Sequence, residues 1–480
     1  MNLKLEKIIK YIVGIFFIPC IIMFCLFAAK VHIVYWLISI TFFICSLLTY
    51  ILIIKKNISS IINFMQKHLY KILLILCVIG ILVRISLFFY NYKSPISDYE
   101  AFFSNSVVLA ENIDVDSNYI ALFPHLAGYI ITVGFIMKLF GTSYTTVIAI
   151  NIILDILSSI IIYLIIKNIT NNKHKASFGA TIWLINPINI FWCIKSAPIV
   201  MFSFAFLFAI FILYKTVDSI NKKTFLLWSL LLGIALGIAN LYRPVIGIFF
   251  IAILIMYFFK SLKEKKYFKL LFGFIVSFTL FFSIGKVEYL IVKNVIKKEP
   301  SSTLPGYNLY VGSSIPTKGQ WNLDMSNELD KKYEELEFDP NETQDYFAKK
   351  SFEQYKENGF KNITFFIKKF YSLTYNVTGL SHDAFLEQAP NPKSNIQKII
   401  GFYAHFVFYQ ILFLNIIFGY KSICKKGIDL KSMILQLFII GFFIASIIPE
   451  VASRYTLPLL PVLTILAVIW SSKEKNHNSI

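Results

Sequence analysis

The sequence is poor in charge. Asp, Glu, Lys and Arg make up 15% of its 480 residues, where a soluble globular chain carries about a quarter. It is poorer still in acid, with 27 Asp and Glu against 46 Lys and Arg. It holds no phosphate-binding P-loop, no Rossmann glycine pattern and no zinc spacing. Soluble nucleotide chemistry and metalloprotease chemistry therefore have no support. The six cysteines, Cys20, Cys25, Cys45, Cys77, Cys193 and Cys424, form no metal spacing and no disulfide framework. No internal repeat is evident, so the inverted-repeat signature of many transporters is missing.

What the chain has instead is apolar length. It is 57% hydrophobic and 17% aromatic, with 48 Phe, and its mean hydropathy is +0.67. Apolar runs recur near 11–29, 33–54, 72–90, 145–166, 176–192, 198–214, 225–241, 245–259, 268–285, 397–419, 432–449 and 455–470. Most are long enough to cross a bilayer. The fold class expected is an all-α polytopic membrane protein. The first run follows Lys4, Lys7 and Lys10 but is long for a signal peptide, and reads as an uncleaved first span. The net charge of +19 lies in short clusters between runs. It therefore reports topology and not a nucleic-acid partner.

One further run, "FPHLAGYIITVGFIMKLFG" at 123–141, decides the orientation. If it spans, the lysine clusters at 167–175, 215–223, 260–266, 421–426 and 473–475 all fall outside. If it does not, they fall inside, as short-loop Lys/Arg bias requires. The run is therefore expected to be an interfacial or re-entrant helix on the outer face. Pro124, His125 and Lys138 suit that place better than mid-bilayer. About 12–13 membrane helices result, with both termini in the cytoplasm.

That topology gathers the polar features on the outer side: Asp98, Glu100, His125, Arg243, Glu450 and Arg454. It also divides the chain into a membrane region at 1–285, with the first outer loop and interfacial helix at 91–141, an extracytoplasmic domain at 286–395, and a membrane region at 396–480. Within the domain, 298–324 has Pro, Gly and Ser punctuation and reads as loops. The stretch 343–373 has helical periodicity, and Phe360–Tyr371 is spaced like an amphipathic helix on a membrane surface.

Asp98, in "NYKSPISDYEAFF", is the leading chemical candidate. An acid just outside a span can deprotonate an acceptor hydroxyl at the lipid–water boundary, or it is a solvated loop acid. Glu100 is a neighbour for a second hydroxyl or a metal. Arg243, in "NLYRPVIG", can bind phosphate by paired hydrogen bonds or anchor the interface. Glu450 and Arg454 are four apart, the spacing of an ion pair on one helical turn. The segment "GYNLYVGSSIPTKGQWN" suits a loop closing over a sugar or lipid head group, or is a connector. Asp155, inside an apolar run with Asn151, Ser158 and Ser159, is a functional candidate by default or an interhelical hydrogen-bonding group.

The order of these pieces resembles the GT-C glycosyltransferases, in particular the glycosyltransferase 39 group of protein O-mannosyltransferases and aminoarabinose lipid A transferases. The resemblance rests on Asp98; on Tyr119, Pro124, Gly128, Tyr129, Leu139, Phe140 and Gly141; on Arg243 and Pro244; and on Glu450, Arg454, Tyr455, Pro458 and Pro461. It implies a GT-C-like fold with a mixed extracytoplasmic domain. It also implies a polyprenyl-phosphate sugar donor, an acceptor outside the cytoplasm and inversion at the anomeric carbon. Asp98 takes the family's base position, and Arg243, Arg454 and His125 are the donor-phosphate candidates, with Tyr119, Glu450 and Tyr455 in support. Many members carry Lys-Pro where this chain has Phe123-Pro124, which leaves His125 as the substitute. The second acid is shifted to Glu100, so a divalent metal, Mg or Mn, stays an open expectation and no other cofactor is implied.

The expected function is sugar transfer at the outer face of a bacterial cell membrane, with a protein, a lipid or a cell-wall polymer as acceptor. A transporter or flippase of a lipid-linked glycan, motivated by Asp155, is the alternative from another class. A glycan polymerase or ligase is a third.

Overall fold

The computed structural model describes residues 68–90, 95, 97–112, 115, 117–264, 267–375 and 430–470. The expected spans at 11–29, 33–54 and 397–419 lie outside the described residues. Every regular element among the described residues is helical.

The first helix, α1 (Leu69–Tyr90), leads to α2 (Asp98–Ala110), α3 (Ser117–Leu122), a 3-10 turn (Pro124–Leu126) and α4 (Ala127–Phe140). The membrane body continues with α5 (Tyr144–Thr170), α6 (Lys173–Ile185), α7 (Pro187–Cys193), α8 (Ile199–Asp218), α9 (Lys222–Tyr242), α10 (Ile246–Glu264) and α11 (Tyr267–Ile296). A polar helical unit follows: α12 (Gly306–Ser313), α13 (Leu323–Glu335), α14 (Pro340–Asn358) and α15 (Lys361–Tyr375). The chain returns through α16 (Leu430–Ser446), a 3-10 segment (Ser453–Leu459) and α17 (Leu460–Trp470).

Five of these helices, α1, α5, α8, α9 and α11, are long and apolar enough to cross a membrane. Pro124–Phe140, Ile246–Leu262, Leu430–Ser446 and Arg454–Ile469 are shorter apolar helices. Their starts follow local chemistry. Asn172 and Asn221 accept from the free N–H groups of α6 and α9, and Ser143 does so for α5, as N-caps do.

The run expected as one span at 176–192 is broken. Asn186 leaves helical geometry and caps α7 by accepting from Ile188 N–H, with Pro187 in the first position. Proline disfavours helix in the residue before it and starts the next helix well. The expected boundary at 286 falls inside α11, which runs to Ile296.

Two readings of the polar unit are corrected. The 298–324 stretch is not all loop, because Gly306–Ser313 is helical and buried against α14. A Cβ on Gly306 would lie 1.8 Å from the Gln344 carbonyl oxygen, so this helix forms by close packing, which composition does not reveal. The domain is also not mixed: among the described residues it is helical and has no strand. Its small core joins Tyr307, Tyr310, Val311, Met325, Leu329 and Phe347.

Polar side chains hold the membrane body at a few points. Arg84 of α1 donates to Asp155 of α5 from Nε at 3.0 Å and Nη2 at 2.5 Å. Trp183 of α6 donates to the other carboxylate oxygen at 2.8 Å. Ser277 of α11 donates to the Ser229 carbonyl of α9 at 2.8 Å. Of the two readings of Asp155, interhelical bonding is the one the structure bears out. Arg84 was the partner that the sequence did not reveal.

Candidate active site

Asp98 opens α2, with Glu100 in the same first turn. Acids are favoured there by the exposed N–H groups and the helix dipole, which explains part of the "SDYE" cluster. Ser97, just before it, has a φ of 58°, a conformation a non-glycine residue adopts only at a cost, and one often found at functional sites.

The distant partner of Asp98 is Arg454, in the 3-10 segment before α17. Its Nη2 donates to Asp98 Oδ2 at 3.0 Å. Both side chains are partly exposed, 44% for Asp98 and 27% for Arg454, so a molecule from outside can reach the pair. The guanidinium lies 5.8 Å from the Tyr455 ring centroid. Glu450 is buried and accepts from Asn308 Nδ2 of α12 at 3.3 Å. The α-helical turn expected for Glu450 and Arg454 does not form, because Val451 and Ala452 are not helical and Ala452 is extended. Burial pushes the Glu450 carboxyl up from its ordinary value. The Arg454 charge and hydrogen bonds from Tyr455 and Asn308 oppose that push.

Arg243 stands just past the end of α9, within electrostatic range of Tyr455, Arg454 and Tyr99. Its Nε is buried with no hydrogen-bond acceptor among the described residues, an uncommon and costly state for a charged group. Burial pulls it down to about 10, which leaves it charged at neutral pH. His125 lies within electrostatic range of Arg243. Burial, then the Arg243 charge, lowers its pKa to about 4, so at neutral pH the imidazole is uncharged and keeps one N–H to donate.

Of the predicted residues, the structure thus brings together Asp98, Arg454, Tyr455, Glu450, Arg243 and His125. It does not bring in the other two. Glu100 points from an exposed position on α2. Tyr119 packs on Phe123 at 5.5 Å, and Phe123 meets His125 at 6.2 Å and Tyr307 at 6.1 Å. It supports the site at one remove. Among the described residues no three His, Cys, Asp or Glu side chains converge as a metal-ligand set, and no chemical step is assigned to a metal.

Sequence reasoning missed Lys195. It is buried, with its ammonium 4.3 Å from the Tyr99 ring centroid and 5.6 Å from that of Trp192. Its loop is pinned from α5, where Asn151 donates to the Lys195 carbonyl at 2.8 Å and Tyr144 to that of Ile194 at 3.0 Å. The signal was a lysine between two apolar runs at the end of the bundle that carries Asp98. Three cationic side chains therefore surround the Asp98–Tyr99 turn.

An apolar groove of about 460 Å³ runs between α4, α5, α8 and α9. Ile136, Leu154, Phe204 and Ile234 line it, and Tyr242, the residue before Arg243, lines it too.

The sequence profile of the dolichyl-phosphate-mannose-protein mannosyltransferases matches residues 124–284, a segment that holds His125, Arg243 and Lys195 but not Asp98 or Arg454. No curated protein gives a significant match. Among solved structures, the Archaeoglobus fulgidus oligosaccharyltransferase in complex with an inhibitory peptide and a dolichol-phosphate is similar at 12% identity and a TM-score of 0.46, over 84% of this chain. The same organism's oligosaccharyltransferase tethered to an acceptor peptide is similar at 13% identity and a TM-score of 0.45, over 85% of this chain. This chain spans half the length of each, 50% in both cases. Over residues 124–284, the resemblance read from the motifs to the mannosyltransferase branch of the GT-C glycosyltransferases is borne out.

Proposed function

We propose that this protein transfers a sugar, hexose or pentose, from a polyprenyl-phosphate-linked donor to an acceptor hydroxyl on the extracytoplasmic side of a bacterial cell membrane. The acceptor is a protein, a lipid or a cell-wall polymer. The observation that carries this reading is the contact of Asp98 with Arg454, beside Arg243, whose Nε is buried. A base and two phosphate-binding cations meet there from three distant parts of the chain.

In this reading the donor's lipid tail lies in the apolar groove and its phosphate meets Arg243, whose Nε lacks a partner among the described residues. Arg454 then exchanges Asp98 for a phosphate oxygen. That exchange frees Oδ2 of Asp98 to accept the proton of the acceptor hydroxyl. The hydroxyl oxygen attacks the anomeric carbon as the carbon–oxygen bond to phosphate breaks, and the configuration inverts. The bond electrons leave on the lipid phosphate, where the guanidinium groups and the neutral His125 N–H stabilise the growing charge. Such fixed donors are typically worth a factor of about 10²–10³ each in rate.

The transport reading leans on Asp155, but that carboxylate is held by Arg84 and Trp183 and is not available to a passing substrate. The test is sugar transfer from a polyprenyl-phosphate donor by purified wild type and Asp98→Asn. The variant should lose about 10²–10⁴-fold in kcat. Turnover like that of wild type would remove Asp98 as the base. Glycan crossing in vesicles without a new glycosidic bond would favour transport.

A further inference from the structure

Lys369 of α15 is fully buried, although lysine is among the residues least often found so. Its ammonium donates to three main-chain carbonyls: Gly312 at 2.6 Å, Ile448 at 2.9 Å and Pro449 at 2.8 Å. The first ends α12 and the other two follow α16. An ammonium has three N–H groups, and each has an acceptor here. The hydroxyl of Tyr355 on α14 reaches two of the same carbonyls, Gly312 at 3.0 Å and Ile448 at 2.5 Å. Burial pulls the Lys369 pKa down to about 7, with the Glu450 carboxylate opposing. The three carbonyl dipoles turned onto the nitrogen also favour the charged form.

The glycines of "GYNLYVGSSIPTKGQWN" make room for this junction. A Cβ on Gly312 would lie 2.3 Å from the Pro449 carbonyl carbon, and one on Gly319, whose φ is +73°, would lie 2.8 Å from Lys369 Cε. Beyond the clamp the backbone stays tied. Glu450 N–H donates to the Asn308 carbonyl at 2.8 Å and Val451 N–H to that of Gly319 at 2.8 Å. Arg454, three residues on, then reaches Asp98.

We propose that Lys369 is a positioning residue: it locks residues 448–451 onto α12 and the Gly319 turn, and so sets where Glu450 and Arg454 stand relative to Asp98. Its catalytic consequence rests on the glycosyl-transfer reading above, whereas the clamp itself does not. The lysine does not touch the reacting atoms. It acts through Arg454, by denying the segment that carries Arg454 the freedom to shift by the ångström or so that costs about 10²-fold in an oriented reaction.

The test substitutes Lys369→Met, which keeps chain length and removes the three N–H groups. The first readout is hydrogen exchange in the full-length protein. The amides of Glu450 and Val451 should exchange at least about 10-fold faster, because their protection depends on local closure, while those of α8 stay as in wild type. The second readout is kinetic, per folded molecule. The kcat should fall on the order of 10²-fold while KM for the donor stays within about 3-fold. In an Arg454→Gln background, Lys369→Met should add little, since the two act in series. If Lys369→Met does not fold, Tyr355→Phe removes one shared hydroxyl and should move both readouts the same way by about 3-fold. Unchanged exchange at 450 and 451 overturns the clamp. Faster exchange with unchanged kcat, or a loss fully additive with Arg454→Gln, overturns the positioning role. If wild type transfers no sugar, the glycosyl-transfer reading fails while the exchange at 450 and 451 still decides the clamp.

Discussion

Replacing Asp155 should destabilise this protein more than replacing almost any other polar residue of its membrane body, and removing Arg84 as well should restore much of the loss. The side chains of Arg84 and Asp155 are 0% and 3% exposed. In wild type the guanidinium makes two bonds to one carboxylate oxygen and reaches the carbonyls of Gly80 and Leu184. In Asp155→Leu those carbonyls remain, but the charge loses its counter-ion and Trp183 Nε1 loses its side-chain acceptor. Stranding one member of a buried pair costs about 3–5 kcal/mol, and the indole N–H, left with the residue-155 main-chain carbonyl at 3.2 Å, adds at most about 1 kcal/mol. Arg84→Met with Asp155→Leu removes both charges and fills the space with apolar volume, which is often neutral or better. The double variant should therefore lie about 2–4 kcal/mol above Asp155→Leu. Reversible unfolding in mixed micelles, run on wild type, both single variants and the double, closes the cycle. If Asp155→Leu falls within about 1 kcal/mol of wild type, or the double variant is no better than the worse single, the pair does not hold α1, α5 and α6 together.

Two further outcomes follow from the site. His125 has a pKa of about 4 in the folded protein against about 6.5 when unfolded. Between these values the unfolded chain binds more protons, so stability falls as the pH drops from about 6.5 to 4. Each unit is worth about 1.4 kcal/mol, and partial exposure of His125 trims the total to about 2 kcal/mol. Thermal unfolding across this window should show that slope in wild type and lose it in His125→Gln, and an unaltered slope would show that His125 is not the group responsible. Gly312→Ala should loosen the clamp from the carbonyl side, because its Cβ would meet the Pro449 carbonyl carbon at 2.3 Å. It should lower unfolding stability by about 1–3 kcal/mol, and a variant as stable as wild type would mean that α12 and the 448–450 turn are not packed as closely as described.

The membrane body was legible because a bilayer demands a gross property, apolar length, that a single stretch of sequence carries in full. The run at 72–90 is α1 (Leu69–Tyr90), and the run at 225–241 is α9 (Lys222–Tyr242). Charge placement alone also gathered Asp98, Arg243 and Arg454 into one group. Side-chain partners were not legible, and neither were the break at Asn186 and the helix at Gly306–Ser313. Arg84 gave no hint that it would meet Asp155, 71 positions away. Lys369 reads as one more lysine on an amphipathic helix, and only the folded chain turns it inward among carbonyls. Main-chain acceptors have no sequence signature, so a residue that binds them is invisible until the backbone is placed. Glycine is the exception. Gly312 and Gly319 were visible as a motif, and in the structure they allow close backbone approach.

In the proposed reaction, the contact between Asp98 and Arg454 also bears on how the base stands beside a reactive donor without activating water to hydrolyse it. The contact occupies Oδ2 of Asp98, and in the proposed reaction that oxygen is free for the acceptor proton once Arg454 turns to the phosphate. A neutral ligand gives Arg454 no reason to leave. A phosphate does, because it offers stronger charge-assisted bonds in the same geometry, and Arg243 and Lys195 lie close enough to the Asp98–Tyr99 turn to add to its attraction. In the proposed reaction the donor itself is then what releases the base. Glu450 sharpens this arrangement. It is buried and accepts from Asn308 of α12, which ties the stretch before Arg454 to that helix. The segment that carries Glu450 and Arg454 must then be held in place, because a guanidinium free to wander would release Asp98 without a donor. That requirement links a lysine buried among backbone carbonyls to chemistry it does not touch.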